Sequence, residues 1–212
     1  VKHEVCGMSL LDVLRARLPQ QPQPVVRRDD IDMDLAAEPV TTPPVSAAVL
    51  LPIILRDEPM LLFTRRTATL ARHSGQVSFP GGRAEPDDLT PVETALRETF
   101  EETGIDPGHV SLAGYLDRYL TGTGFDIQPV VGVLAPGFAL KPDSREVAEV
   151  FEAPLGFLLD PANRQRASRQ IGDRTRHFYV FHHGGHEIWG ATAAIIVGLA
   201  QRLDGISLNH AD

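Results

Sequence analysis

The stretch "TPVETALRETFEETGI", Thr90 to Ile105, decides how this chain is organised. Thr90 is a candidate N-cap, Pro91 takes the first helical position, and Glu93 at the third completes a capping box. Gly104 supplies the left-handed residue that ends the helix. At about 100° per residue, Val92, Ala95, Leu96, Thr99, Phe100 and Thr103 share one arc, the one expected to be buried. Glu98, Glu101 and Glu102 share another, with Glu101 and Glu102 each within reach of Glu98. Local energetics oppose this crowding. Like charges at these spacings cost about 0.2–0.5 kcal/mol each, and acids in a last turn oppose the helix dipole by about 0.3–1 kcal/mol each. One reading is a solvated acidic face, relieved by Arg97 four residues before Glu101. The other is a divalent cation, which turns the repulsion into attraction; Mg²⁺ and Mn²⁺ accept such oxygen ligands together with water.

Upstream, "VSAAVLLPIILR" (45–56) and "MLLFTRR" (60–66) flank "DEP", which reads as two strands joined by a turn. Downstream, "GYLDRYL", "FDIQPVVGVL" and "HFYVFHHGGHEIWG" read as strands, the last a hairpin turning at Gly184-Gly185. A closing helix is expected over about Thr192 to Leu203. At the start, Ser9 caps a short helix reaching about Leu18 and stopped by Pro19. Prolines then recur through Pro44, so residues 19–44 read as an extended arm. Strands, one mid-chain helix, more strands and a final helix fit an α+β fold or a sheet sandwiched by helices better than alternating βαβ units.

The bulk properties remove several function classes. A chain of 212 residues suits one domain with decorations: an N-terminal helix and arm (1–44), a main domain (45–205) and a short tail (206–212). A net charge of −8, a pI near 5.4 and the lack of a long basic run argue against nucleic acid as a partner. The apolar runs "VSAAVLLPIIL" and "ATAAIIVGLA" are too short to span a bilayer, and "VKHEVCGMSL" lacks the apolar core of a signal peptide. The single cysteine, Cys6, excludes an internal disulfide. The expectation is a cytoplasmic protein without a membrane partner.

"SFPGG" (78–82) sets two glycines after a strand, where backbone can approach a ligand or metal closely. Gly82 followed by "RETFEETGI" resembles the Nudix hydrolase signature: a glycine, five residues, a glutamate, seven residues, then Arg-Glu-apolar-x-Glu-Glu-x-Gly-apolar. Arg97, Glu98, Glu101, Glu102, Gly104 and Ile105 match, while Thr99 stands at an apolar position. The early glutamate is missing: Leu89 stands eight residues before Arg97, with Asp88 one further back, and no role is carried over for that acid. "LLFTRRTATLARHSGQVSFPGG" (61–82) is similar to the extra signature of the coenzyme A pyrophosphatase branch, with Thr64, Arg66, Leu70, His73, Gly75, Gln76, Phe79, Pro80, Gly81 and Gly82 aligned. Ala71 stands where that branch has arginine, with Arg72 displaced by one. "EVAEVFEAPLGFLLD" (146–160) and "IWGATAAIIVGL" (188–199) resemble it too, so the likeness spans roughly residues 45 to 203.

The resemblance implies a Nudix-like α/β/α sandwich with a mixed sheet, and a Mg²⁺- or Mn²⁺-dependent pyrophosphatase that cuts coenzyme A or its thioesters to 3′,5′-ADP and a 4′-phosphopantetheine part. Cations neutralise the phosphate oxygens and activate the attacking water. Glu98 and Glu102 are then the first expected metal ligands, followed by Glu101 and the Gly81 carbonyl. Arg97 is expected to orient a glutamate. Glu101, Glu146 and Glu149 all stand open as the general base. Arg66, Arg72, His73 and Gln76 are the expected substrate contacts, and Arg164, Arg166, Arg169, Arg174 and Arg176, on what reads as a loop, are available for a 3′-phosphate. His177, His182, His183 and His186 match no zinc spacing and read as a hairpin rim, and Trp189 as core. Two alternatives share the fold: the same chemistry on ADP-ribose, a dinucleotide or a nucleoside triphosphate, and a non-catalytic ligand-binding module.

Overall fold

The computed structural model describes residues 8–24, 43–68, 75–171 and 174–204. Arg72, His73, Leu70 and Cys6, most of the proline-rich arm and the 206–212 tail lie outside the described residues, as do the side chains of Arg174 and Arg176.

Two central strands run in parallel over their whole length, β1 (Val45–Ile54) and β7 (Phe125–Leu134), with Ala48 opposite Gln128 and Leu50 opposite Val130. Beyond β1 lie β2 (Met60–Arg66) at one end and β4 (Gly81–Arg83) at the other, both antiparallel. Beside β2 are β3 (Val77–Ser78) and β8 (Val147–Pro154); beside β7 are β5 (Val110–Tyr115) and β6 (Tyr119–Leu120). Pro52 and Pro129, the prolines of the two central strands, sit where neighbours change. Pro52 falls between the β4 and β2 pairings of β1, and Pro129 between the β6 and β5 pairings of β7, so neither missing N–H breaks a ladder.

Helix α2 (Pro91–Thr103) covers one face through Ala95 against Ala48, Leu50 and Val130. Its ends are as the sequence predicts: Thr90 and Glu93 form the capping box, and Gly104 takes φ 76° while its N–H caps Phe100. The opposite face carries the larger core, built on Leu51, Ile53, Phe63 and Val131. It is closed by α1 (Leu10–Arg17), α3 (Leu155–Leu159) and α4 (Gly190–Arg202). The result is an α+β, α/β/α sandwich on a mixed sheet.

Four expectations need correction. The "GYLDRYL" stretch is two strands, because Leu116 turns its N–H to Pro129 and Arg118 pairs with Asp126. The arginine-rich segment is no loop: β9 (Gln165–Ile171) pairs with β10 (Arg174–His183), which turns into β11 (His186–Trp189) to make a second, three-stranded sheet. Trp189 is half-buried beside Phe178 rather than core. In α2 the buried arc is rotated toward the acids: Phe100 is 51% exposed, whereas Thr94 and Glu102 are buried. Local periodicity cannot see that β4 and the 84–90 loop lie against that side of the helix.

Candidate active site

The acids of α2 meet β4 because one glycine leaves room for Glu98 and another lets β4 lie close on β1. A Cβ on Gly82 would land 2.4 Å from the Glu98 carboxyl carbon. One on Gly81, whose φ is 151°, would land 2.4 Å from the Ala48 carbonyl oxygen and 2.6 Å from Val49 Cα. The Gly81 N–H donates to Glu102 Oε2 at 3.2 Å, and Arg66 Nη1, at the end of β2, lies 3.6 Å from Glu102 Oε1. Glu102 is 4% exposed, and that burial pushes its pKa up to about 8 in spite of both partners. Burial also raises Glu98, against the pull of Arg97. Two carboxylates are therefore held out of water and close together, an arrangement that favours a cation.

Arg97 holds Glu98 and Glu101. Its Nη1 donates to Glu98 Oε1 at 3.1 Å and to Glu101 Oε2 at 3.4 Å, and its Nη2 to the Arg83 carbonyl at 3.0 Å. The residue that fixes Arg97 was not singled out from the sequence. Asp88 takes Nε at 3.1 Å and Nη2 at 2.9 Å in a two-pronged pair, and also accepts from Thr94 Oγ1 and the Glu85 N–H. Its side chain is 7% exposed, and the Arg97 guanidinium holds its carboxyl well below the usual carboxylate range. The signal was present in the numbering: Asp88 stands after five residues from Gly82, so one extra residue lies between it and Arg97.

The three base candidates separate. Glu101 is 57% exposed and pairs with Arg97. Glu146, just before β8, lies within electrostatic reach of both Glu98 and Glu102, raising the pKa of each. Glu149 instead meets Arg65 at 2.9 Å and His186 at 3.5 Å, and the His186 ring stacks on Phe151 at 3.7 Å. Among the substrate candidates, Arg66 is at the site, and Gln76 is bound to it through its carbonyl, which accepts from the Arg66 N–H at 3.0 Å. Arg166 and Arg169 are exposed on β9, and Arg164 lies 5.1 Å over the Tyr179 ring.

Among the described residues, no three His, Cys, Asp or Glu side chains converge closely enough to hold an ion unaided. Glu98 and Glu102 offer carboxylate oxygens, the hard donors that Mg²⁺ and Mn²⁺ accept.

Residues 44–181 match the NUDIX domain family. The chain belongs to the Nudix hydrolases. It is 43% identical over 157 residues to the uncharacterized Nudix hydrolase NudL of Photorhabdus laumondii, covering 74% of this chain and 84% of that one. It is 41% identical over 165 residues to NudL of Pectobacterium atrosepticum, covering 74% and 82%. Among solved structures, a MutT/nudix family protein from Enterococcus faecalis is 15% identical with a TM-score of 0.49, covering 78% of this chain and 64% of that one. Nudix hydrolases cut pyrophosphate bonds of small molecules and generally use divalent metal ions. Among the described residues, no helix is long and apolar enough to cross a membrane.

Proposed function

We propose that this Nudix hydrolase is a cytoplasmic, Mg²⁺- or Mn²⁺-dependent enzyme that cleaves coenzyme A or its thioesters into 3′,5′-ADP and 4′-phosphopantetheine or its acyl derivative. We also assign the chemistry to residues 45–205, with 1–44 and 206–212 as additions. One observation supports the substrate: the two ends of the segment that resembles the coenzyme A branch converge on the acids, Arg66 and the Gly81 N–H on Glu102 and Gly82 against Glu98. Glu98, Glu102, Glu101 and the Gly81 carbonyl would hold the cation, which would supply neutralisation of the phosphate oxygens. Arg97, fixed by Asp88, keeps Glu98 in place. Glu146 takes a proton from the attacking water, since it lies within electrostatic reach of the acid pair while Glu149 is engaged by Arg65 and His186. Arg66, Gln76, Arg72 and His73 contact the substrate, and Arg164, Arg166 and Arg169, with Arg174 and Arg176, supply cations for the 3′-phosphate.

The test is a panel of coenzyme A, dephospho-coenzyme A, ADP-ribose, a dinucleoside polyphosphate and a nucleoside triphosphate, each with Mg²⁺ or Mn²⁺. Coenzyme A is expected to have the highest kcat/KM. Dephospho-coenzyme A should fall about tenfold or more, the scale of one charge-assisted hydrogen bond of about 1.5–3 kcal/mol. Equal values for these two would overturn the 3′-phosphate reading, and turnover of none would favour a binding module.

A further inference from the structure

The position of Glu146 depends on a turn, and that turn is held from two sides. On one side, Lys141 N–H donates to the Thr103 carbonyl at 2.8 Å and Asp143 N–H to the Glu102 carbonyl at 3.1 Å. These are C-terminal helix carbonyls, which have no partner within α2. Within the turn, the Asp143 carbonyl accepts from the N–H groups of Glu146 at 3.0 Å and Val147 at 2.8 Å. On the other side stands Thr67, the residue after Arg66. Its N–H donates to the Glu146 carbonyl at 2.9 Å, and its hydroxyl to the Arg145 carbonyl at 3.1 Å.

Both Thr67 bonds lie past the end of the β2–β8 ladder, whose last pair is Arg66 with Val147 after a bulge at Arg65/Arg66. Strand ends fray where the ladder stops. Here Thr67 bonds the carbonyls of Arg145 and Glu146, and the Glu146 carboxylate lies within electrostatic reach of Glu98 and Glu102. Arg66 and Thr67 thus grip opposite members of the site, one through the Glu102 side chain and the other through the Glu146 backbone.

We infer that Thr67 is a positioning residue, which sets where the Glu146 carboxylate stands relative to Glu98 and Glu102 by clamping the Arg145 and Glu146 carbonyls. The inference rests on the reading of Glu146 as the base. Misplacing a reacting group by about 1 Å can cost up to about a hundredfold in rate. Thr67 keeps its N–H bond in any variant, so a smaller loss is expected.

The experiment is a double-mutant cycle on coenzyme A turnover with Mg²⁺. Thr67→Val keeps the shape and removes the hydroxyl; kcat is expected to fall about tenfold with KM within about twofold. Thr67→Ser, which restores the hydroxyl, should recover kcat to within about threefold. In a Glu146→Gln background, Thr67→Val should change kcat by less than about twofold, because the group it positions is already lost. A low kcat in Glu146→Gln with a normal kcat in Thr67→Val overturns the inference alone. So does an undiminished tenfold loss in the Glu146→Gln background, which a merely structural role would produce. A normal kcat in Glu146→Gln overturns the base reading itself.

Discussion

Asp88 is the side chain on which the rest of the acid site hangs, and replacing it tests that chain of contacts. Asp88→Ala removes four hydrogen bonds, two of them to a charged guanidinium that is only 23% exposed. Exposed pairs are worth about 0–1 kcal/mol, whereas breaking a buried pair costs about 3–5 kcal/mol. A half-sheltered pair falls between them, at about 2 kcal/mol, which for a chain of this length lowers Tm by about 4–8 °C. The functional loss should be separate. Without Asp88, Arg97 keeps its bonds to Glu98 and Glu101 but nothing stops it from turning fully onto them. A guanidinium competing with a cation for Glu98 should raise the Mg²⁺ concentration for half-maximal activity about tenfold, equivalent to about 1.4 kcal/mol. Thermal melts and Mg²⁺ titrations of turnover on Asp88→Ala read both numbers. An unchanged Mg²⁺ half-point in a well-folded variant would refute the claim that Asp88 acts on Glu98 through Arg97. The pH dependence has a definite sign. The folded pKa of Asp88 lies below its unfolded value of about 3.9, so its stabilisation is present above that value and is lost as pH falls through the folded pKa. The Tm gap between wild type and Asp88→Asn should therefore be full at pH 7 and close progressively below about pH 4.

Other perturbations separate packing from chemistry. Gly81→Ala drives a Cβ into the β1 backbone at a positive φ, so it should cost about 2 kcal/mol or more in melts; Gly82→Ala meets only the end of the Glu98 side chain, so stability should hold while kcat falls. Glu98→Gln and Glu102→Gln should each lower kcat by about a hundredfold or more. The upward Tm shift with millimolar Mg²⁺, about 2.7 kcal/mol at a hundred times Kd, should shrink in both; an equal shift in wild type and variants would place the ion elsewhere. Leu14→Ala, in the fully buried side chain of α1, should cost about 2–5 kcal/mol, and a melt unchanged by it would show that α1 is not part of the core.

Much of this was legible because it is local. The caps of α2, the hairpin at Gly184-Gly185 and the span of β7 each follow from a few adjacent residues, and so does the likeness to the Nudix signature. What was illegible depends on residues distant in sequence. Phe100 belongs to the apolar arc by periodicity, yet β4 and the 84–90 loop pack on the other edge of the helix and leave it in solvent. The arginines of β9 carry no strand signal of their own; the strand exists because β10 offers a partner.

The same distinction explains why the helix acids could be grouped in advance and their neighbour from elsewhere in the chain could not. Glu98, Glu101 and Glu102 are one helix turn apart, so their nearness is set by helix geometry alone. Glu146 and Glu149 are also close in sequence, and either could have met the acids. Strand alternation settles Glu149: it stands opposite Arg65 and two residues from Phe151, on the face turned away from α2. Glu149 is left with Arg65 and His186, while the chain ahead of Val147 turns back onto the C-terminal carbonyls of α2. That turn, not strand alternation, brings Glu146, forty-four residues after Glu102, within electrostatic reach of the helix acids.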